Sequence, residues 1–317
     1  MRALLPAFSA TLLSCALAIA ADEAPVKLVL KYPEGSKFTR QQTVRLHQVL
    51  TLAGMDIETD AEEIVTSTRS IGTRKPDGSV PMEVEVTALK ANMSLPGGIS
   101  IQFDSAGPPE DIDPQLKFIV DMLRAFSGSH YTVVIGPRGD IQSIEGAQAI
   151  IDRASDLDPK AGDALRSRLS PEALKRAWHQ DADRIPEILV RPGEPWTRSE
   201  HMEIGSGQSF TFERTYEYLG TIEKNGTTLD KIGVKATGVT YASAADPNSP
   251  VKVDKSDLKV KSSEGALLFD REAGRVVEST ETTRITGSLT LIVTANDMAL
   301  DADLDLTLEN TSMPKVD

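Results

Sequence analysis

The chain has 317 residues, of which 47 are acidic and 34 basic, for a formal net charge of −13 at neutral pH. A surface of that sign repels phosphate backbones, which excludes nucleic acid as an expected partner. The single cysteine, Cys15, excludes an internal disulfide, and a chain this long buries a sizeable core without one.

Residues 1–21 carry the pattern of a secretory signal peptide. Met1-Arg2 supplies a short positive start, the run to Ala18 is small or apolar, and Ala18-Ile19-Ala20 offers the small-x-small cleavage site. Cleavage near Ala20-Ala21 makes the mature chain exported, periplasmic or extracellular. It also discards Cys15 and with it thiol catalysis. Leu12-Leu13-Ser14-Cys15 resembles a lipobox, so a lipoprotein anchored through Cys15 is the alternative; Ala16 to Ala21 stays apolar, which favours ordinary cleavage. No later run approaches the ~18 consecutive apolar residues of a membrane-spanning helix.

Residues 22–317 are expected to form a single β-rich domain. A first β region covers 26–105, a helical interlude 106–185, and a second β region 196–310. Val26, Leu28 and Leu30 suggest a short strand that ends at Pro33-Glu34-Gly35. Lys37 to Leu52 alternates, with Phe38, Val44, Leu46, Leu50 and Leu52 on one face and Arg45, His47 and Thr51 on the other. Met55 to Arg74 reads as a more polar strand. The turn Lys75-Pro76-Asp77-Gly78-Ser79 returns the chain through Val80, Met82, Val84 and Val86, and Pro96-Gly97-Gly98 turns it again into Ile99, Ile101 and Phe103.

In the interlude, Asp113-Pro114, Asp158-Pro159 and Ser170-Pro171 each pair an N-cap side chain with proline at the first helical position. A further short helix is expected over Ala147 to Ala154, and a hairpin over 130–145 turning at Pro137-Arg138-Gly139. The first helix places Leu116, Ile119, Val120, Leu123 and Phe126 on one face, widened by Phe118 and Met122, too apolar to face water. Three prolines, Pro186, Pro192 and Pro195, predict an extended linker from Asp181 to Trp196.

Beyond the linker, Ser209 to Tyr218 sets Phe210, Phe212, Tyr216 and Tyr218 on one face with Arg214 among them. Asn225-Gly226 predicts a tight hairpin, Ser243 to Pro250 a loop tip, and Gly265 to Asp270 a strand paired with Arg275-Val276-Val277. Glu278 to Arg284 is polar on both faces, as in an edge strand or one lining a wet cleft. Leu289, Leu291 and Val293, then Leu300 to Leu308, complete the alternation. The fold class is therefore α+β, mainly β: a long antiparallel curved sheet, open or half-barrel, packed around a central helical segment.

Chemistry-bearing motifs are sparse. Asp301, Asp303 and Asp305 lack the glycine and glutamate of a calcium loop, and alternation with Ala302, Leu304 and Leu306 turns them toward water. His47, His130, His179 and His201 share no metal-ligand spacing. Arg138-Gly139-Asp140 is a turn before it is an adhesion tripeptide, and no nucleophile elbow is present. No catalytic residue, metal site or cofactor is nominated. The ligand-groove candidates are Leu116, Ile119, Leu123 and Phe126 from the helix and Phe210, Phe212, Arg214, Tyr216 and Tyr218 from the aromatic stripe, with Arg214 placed at a groove mouth to meet an anionic head group.

Four stretches carry a family resemblance: Lys31-Tyr-Pro-Glu-Gly-Ser-Lys-Phe38, Ile135-Gly-Pro-Arg-Gly-Asp140, Arg191-Pro-Gly-Glu-Pro-Trp196 and Phe269-Asp-x-x-x-Gly-Arg-Val276. Together they resemble an uncharacterised family of exported bacterial proteins, a domain of unknown function, over about residues 26 to 295. The architecture looks like that of periplasmic lipoprotein carriers. The resemblance implies a fold and no activity. The expected function is a non-enzymatic exported module binding a hydrophobic small molecule or lipid between sheet and helices. The alternative is a cell-envelope scaffolding or protein-interaction module with a filled core.

Overall fold

The computed structural model describes residues 24–108, 114, 116–205, 208–243, 251–294 and 296–315. The expected signal segment, the loop tip before Pro250 and the N-cap candidate Asp113 lie outside the described residues.

Among the described residues, fourteen strands and four helices follow one another: β1 (Val26–Lys27), β2 (Lys37–Leu52), β3 (Met55–Ile71), β4 (Val80–Leu95), β5 (Ile99–Asp104), α1 (Lys117–Phe126), β6 (His130–Ile135), β7 (Ile141–Glu145), α2 (Ala147–Leu157), α3 (Pro159–Leu169), α4 (Pro171–Asp183), β8 (Leu189–Val190), β9 (Pro195–Gly205), β10 (Gln208–Lys224), β11 (Thr227–Ser243), β12 (Val251–Asp270), β13 (Arg275–Val293) and β14 (Met298–Pro314). Twelve strands form one open sheet in the order β7-β6-β4-β3-β2-β14-β13-β12-β11-β10-β9, with β5 pairing β4 outside that path. Every pairing is antiparallel. The α+β, mainly β class and the long curved sheet expected from alternation are therefore observed. The C-terminal β14 inserts beside β2, so the first and second β regions meet along one hydrogen-bonded seam.

Alternation fixes which residues point inward. Phe38, Arg40, Gln42, Val44 and Leu46 on β2 share a face with Arg69, Ser67, Val65, Glu63 and Ala61 on β3 through their register. On β14, Asp301 and Asp303 are exposed while Ala302, Leu304 and Leu306 are buried, as the alternation predicts.

Helix α1 covers one part of this inner face, with Leu123 buried against Leu89 and Ala91 of β4 and Ile119 packed alongside. It starts at Lys117 rather than at Pro114. Its first turn is closed by Ile119 N–H to Leu116 C=O, and Leu116 caps it without a side-chain bond. The other two proline starts form as expected. Asp158 accepts from the Lys160 N–H at 2.8 Å and Ser170 from the Ala173 N–H at 3.2 Å.

The expected linker from Asp181 needs correction. Helix α4 continues to Asp183 because no proline interrupts it before Pro186. Leu189–Val190 then pairs with β1, and Pro195 opens the edge strand β9, where a missing N–H leaves no ladder bond unmade. Glu278 to Arg284 is likewise no edge. It lies centrally in β13, between β12 and β14, and turns Glu281 and Thr283 inward.

Helix α4 spans the two ends of the sheet. It packs on β7 at one end. At the other, the Gln180 side chain donates to the His201 carbonyl at 3.1 Å and accepts from the His201 N–H on β9. After β1, the strap from Leu28 to Ser36 crosses one mouth of the sheet. It is held by Lys31 N–H to Gly274 C=O at 2.8 Å and by reciprocal bonds between Gly35, Ser36 and Ile71.

Candidate interior site

The inner face carries a belt of charged side chains between apolar layers. Glu200, on β9, is 5% exposed and holds two arginines. Arg184, at the C-cap of α4, reaches it through two hydrogen bonds, at 3.3 and 2.9 Å, and Arg214 of β10 through one at 2.9 Å. The Tyr216 hydroxyl donates to the same carboxylate. Arg214 also reaches Glu281 of β13 at 2.9 Å, and Arg184 reaches Asp181 at 3.1 Å. Burial works to raise the Glu200 carboxyl, yet the two arginines and the hydrogen bonds hold it below its ordinary value. Burial pushes the Tyr216 phenol up, so it stays a neutral donor.

Beside this network lies a cavity of about 80 Å³ under the strap. Its walls come from the strap (Leu30, Tyr32), from β2 and β3 (Phe38, Arg40, Arg69), and from α4 (Trp178, Asp181). Arg69 stacks on the Trp178 ring at 4.4 Å, and its Nε is buried without a hydrogen-bond partner among the described residues. Arg40 bonds Ser312 and lies 3.9 Å from Asp181. Burial draws the Arg40 guanidinium down to about 10, with Arg69 and Arg184 repelling it and Asp181 opposing. Burial would raise the Asp181 carboxyl, but Arg184, Arg40 and Arg69 outweigh it and hold it low. The cavity is thus apolar in its walls and over-supplied with cations.

The groove candidates from the sequence fall into separate clusters. Leu123 is buried against β3, β4 and β5, with Ile119 and Phe126 half-buried beside it; Leu116 is half-buried just before α1. Phe210 and Phe212 pack with Ile285, Leu304 and Leu306 at the opposite end of the interior. Tyr216 and Tyr218 pack with Leu28, Trp196 and Phe269 near the strap. Arg214 is 12% exposed and engaged by two carboxylates, so the free head-group cation expected there is absent. Missing from the sequence reading were Arg40, Arg69, Asp181, Glu200 and Glu281. For the four strand residues the signal was a charge in the inward register, as in Phe38-x-Arg40, which reads equally well as a wet face; Asp181 lies on α4, in the stretch expected to be an extended linker. Among the described residues no three His, Cys, Asp or Glu side chains converge as metal ligands, and no helix is long and apolar enough to cross a membrane.

A comparison with curated proteins finds no match. Among solved structures, the chain resembles lipovitellin, in a structure concerned with lipid–protein interactions, at a TM-score of 0.41 and 9% identity, covering 90% of this chain and 26% of that one. It spans only that quarter of lipovitellin. A protein from Bacteroides fragilis described as exported with a YmcC-like fold matches at a TM-score of 0.20 and 9% identity, covering 88% of this chain and 98% of that one. A domain from Vibrio parahaemolyticus described as outer membrane lipoprotein-sorting matches at 0.13 and 9%, covering 84% and 83%. Likenesses at these scores carry no argument. Sequence does: the Family of unknown function (DUF6263) matches residues 77–271, which takes in the Ile135–Asp140 turn, the Arg191–Trp196 stretch, α4 and most of the charged belt, and the chain belongs to that family.

Proposed function

We propose that this chain is an exported, non-enzymatic binding protein that holds a hydrophobic or amphipathic ligand between its curved sheet and its helices. The observation that carries this reading is the cavity under the strap, where Leu30, Phe38, Ile71 and Met82 share a wall with arginines. Filled cores bury cations only with partners, and binding sites combine apolar walls with a few placed polar groups. Expression with its leader, native mass spectrometry of the purified protein and titration with a fluorescent fatty acid test it. A co-purified amphipath or saturable binding is expected, and neither being found refutes the reading. The same spectrum, taken on the mature N-terminus, distinguishes cleavage near Ala20-Ala21 from acylation at Cys15.

A second reading, a cell-envelope scaffolding or interaction module, is favoured by one observation. At the far end of the interior the sheet packs on itself, leaving Phe212 and Ile285 at 1% and 0% exposure. That reading predicts a salt-sensitive partner on the acidic outer face and no bound small molecule.

A further inference from the structure

We infer that the cavity under the strap is an anion subsite, with Arg69 as its specificity-determining residue and Arg40 as its second cation, and that it takes the carboxylate or phosphate head of an amphipathic ligand. The inference rests on the ligand-binding reading above and narrows it to one chemical class. It starts from the charge balance of the interior. Arg40, Arg69, Arg184 and Arg275 line the cavity and Arg214 lies beside it; Arg275 sits 4.3 Å over the Phe38 ring, and the other four share three carboxylates. Arg184 and Arg214 take Glu200 and Glu281 in full and the near side of Asp181. Arg40 is left with Asp181 at 3.9 Å, and Arg69 with the face of Trp178. A guanidinium withdrawn from water with an empty Nε is stabilised by a ring face only in part. An anion in the cavity supplies what both lack, and the planar guanidinium fork matches a carboxylate or phosphate edge.

Size decides what part of a ligand fits. About 80 Å³ is smaller than the ~150 Å³ apolar cavity that accepts benzene. A head group fits and a hydrocarbon chain does not. The chain has a path, however. From Arg40 the inner face of β2 continues through Gln42 and Val44 to Leu46, a run of about 20 Å at ~3.3 Å per residue. Val44 on this path is 36% exposed although it points inward, so apolar surface lies open there. Head under the strap and tail along β2 is the arrangement the geometry points to.

Trp178 lies against Arg69, so the change in tryptophan emission on titration, over the constant background of Trp196, reports on the cavity. The mature protein is titrated with dodecanoate, dodecyl phosphate, dodecanol and inorganic phosphate, and the titrations are repeated on Arg69→Met, Arg69→Lys and, as a remote outer-face control, Arg45→Met. Dodecanoate and dodecyl phosphate are expected to saturate about tenfold more tightly than dodecanol. Arg69→Met should erase that ratio, Arg69→Lys retain part of it, and Arg45→Met leave it unchanged. Equal affinity for dodecanoate and dodecanol in the unaltered protein overturns the anion subsite and leaves the ligand-binding reading standing; this comparison needs no variant to fold. Inorganic phosphate binding as tightly as dodecyl phosphate supports an anion site for a free ion and overturns the amphipathic reading. No response to any of the four overturns both.

Discussion

Glu200 belongs to an edge strand, yet its carboxylate receives Arg184, Arg214 and the Tyr216 hydroxyl. Removing one partner of a buried charge network leaves the others uncompensated, so Glu200→Ala should cost about 3–5 kcal/mol in urea unfolding. Because the folded Glu200 is held below its ordinary value, its contribution is complete above the unfolded carboxylate range. It is lost as pH falls through the folded value. Glu63 behaves in the opposite sense. Burial raises its carboxyl, with Arg168 only partly opposing. Its contribution is favourable below the unfolded carboxylate range and disappears as pH rises through the raised value. Glu63→Gln is therefore expected to raise the melting temperature at neutral pH and to leave it unchanged near pH 3. An equal gain at both pH values would reject burial as the cause. None of these inward charges was legible as such, because burial of a strand residue depends on what its face meets. The outward Asp301 and Asp303 were legible, since their apolar neighbours define the core side.

At the scale of elements, the proline starts of α3 and α4 were readable because capping is a local matter of one side chain and one N–H. Ser170→Ala should lower stability by about 1 kcal/mol, measured by denaturant unfolding. Where α4 ends was misread, since three prolines downstream suggested extension from Asp181. The helix instead runs on to Asp183, which places Asp181 and Arg184 over the interior. Strand β9 falls in the expected second β region but is not legible as a strand of its own for a related reason: its inward set, Trp196, Arg198, Glu200 and Met202, alternates without being uniformly apolar. The strap depends on Gly274, at φ +64, where an added Cβ would lie 2.4 Å from the Lys31 side chain. Gly274→Ala should therefore destabilise the strap specifically. The readout is faster hydrogen exchange at the Lys31 and Ile71 amides, with the β2–β14 seam unaffected.

For the whole molecule, the decisive feature is the closure of an open sheet by one helix. Gln180 completes the backbone of His201 on both its N–H and its C=O, while the body of α4 rests on β7. Gln180→Ala leaves two backbone groups without partners and should cost about 1–3 kcal/mol. The unbroken ladder from β7 to β9 further leads us to propose that residues 22–317 unfold as one domain. Far-UV dichroism and tryptophan emission should report coincident transitions, and separated ones would split the first β region from the second.

Periodicity and turn chemistry, both local, were enough to establish a mainly antiparallel β chain with a helical interlude and the hairpins at Gly139 and Asn225-Gly226. Alternation says that a strand has two faces, but not which strand will lie across the interior from it. Only the tertiary structure brought β14 beside β2, curled the sheet until α4 could span both its ends, and set Arg40 and Arg69 of the β2–β3 hairpin with Asp181 of α4 and Glu200 of β9. The strength of those charges toward one another, and toward an anion, comes from their withdrawal from water, a property of the assembled interior that no local stretch of chain possesses.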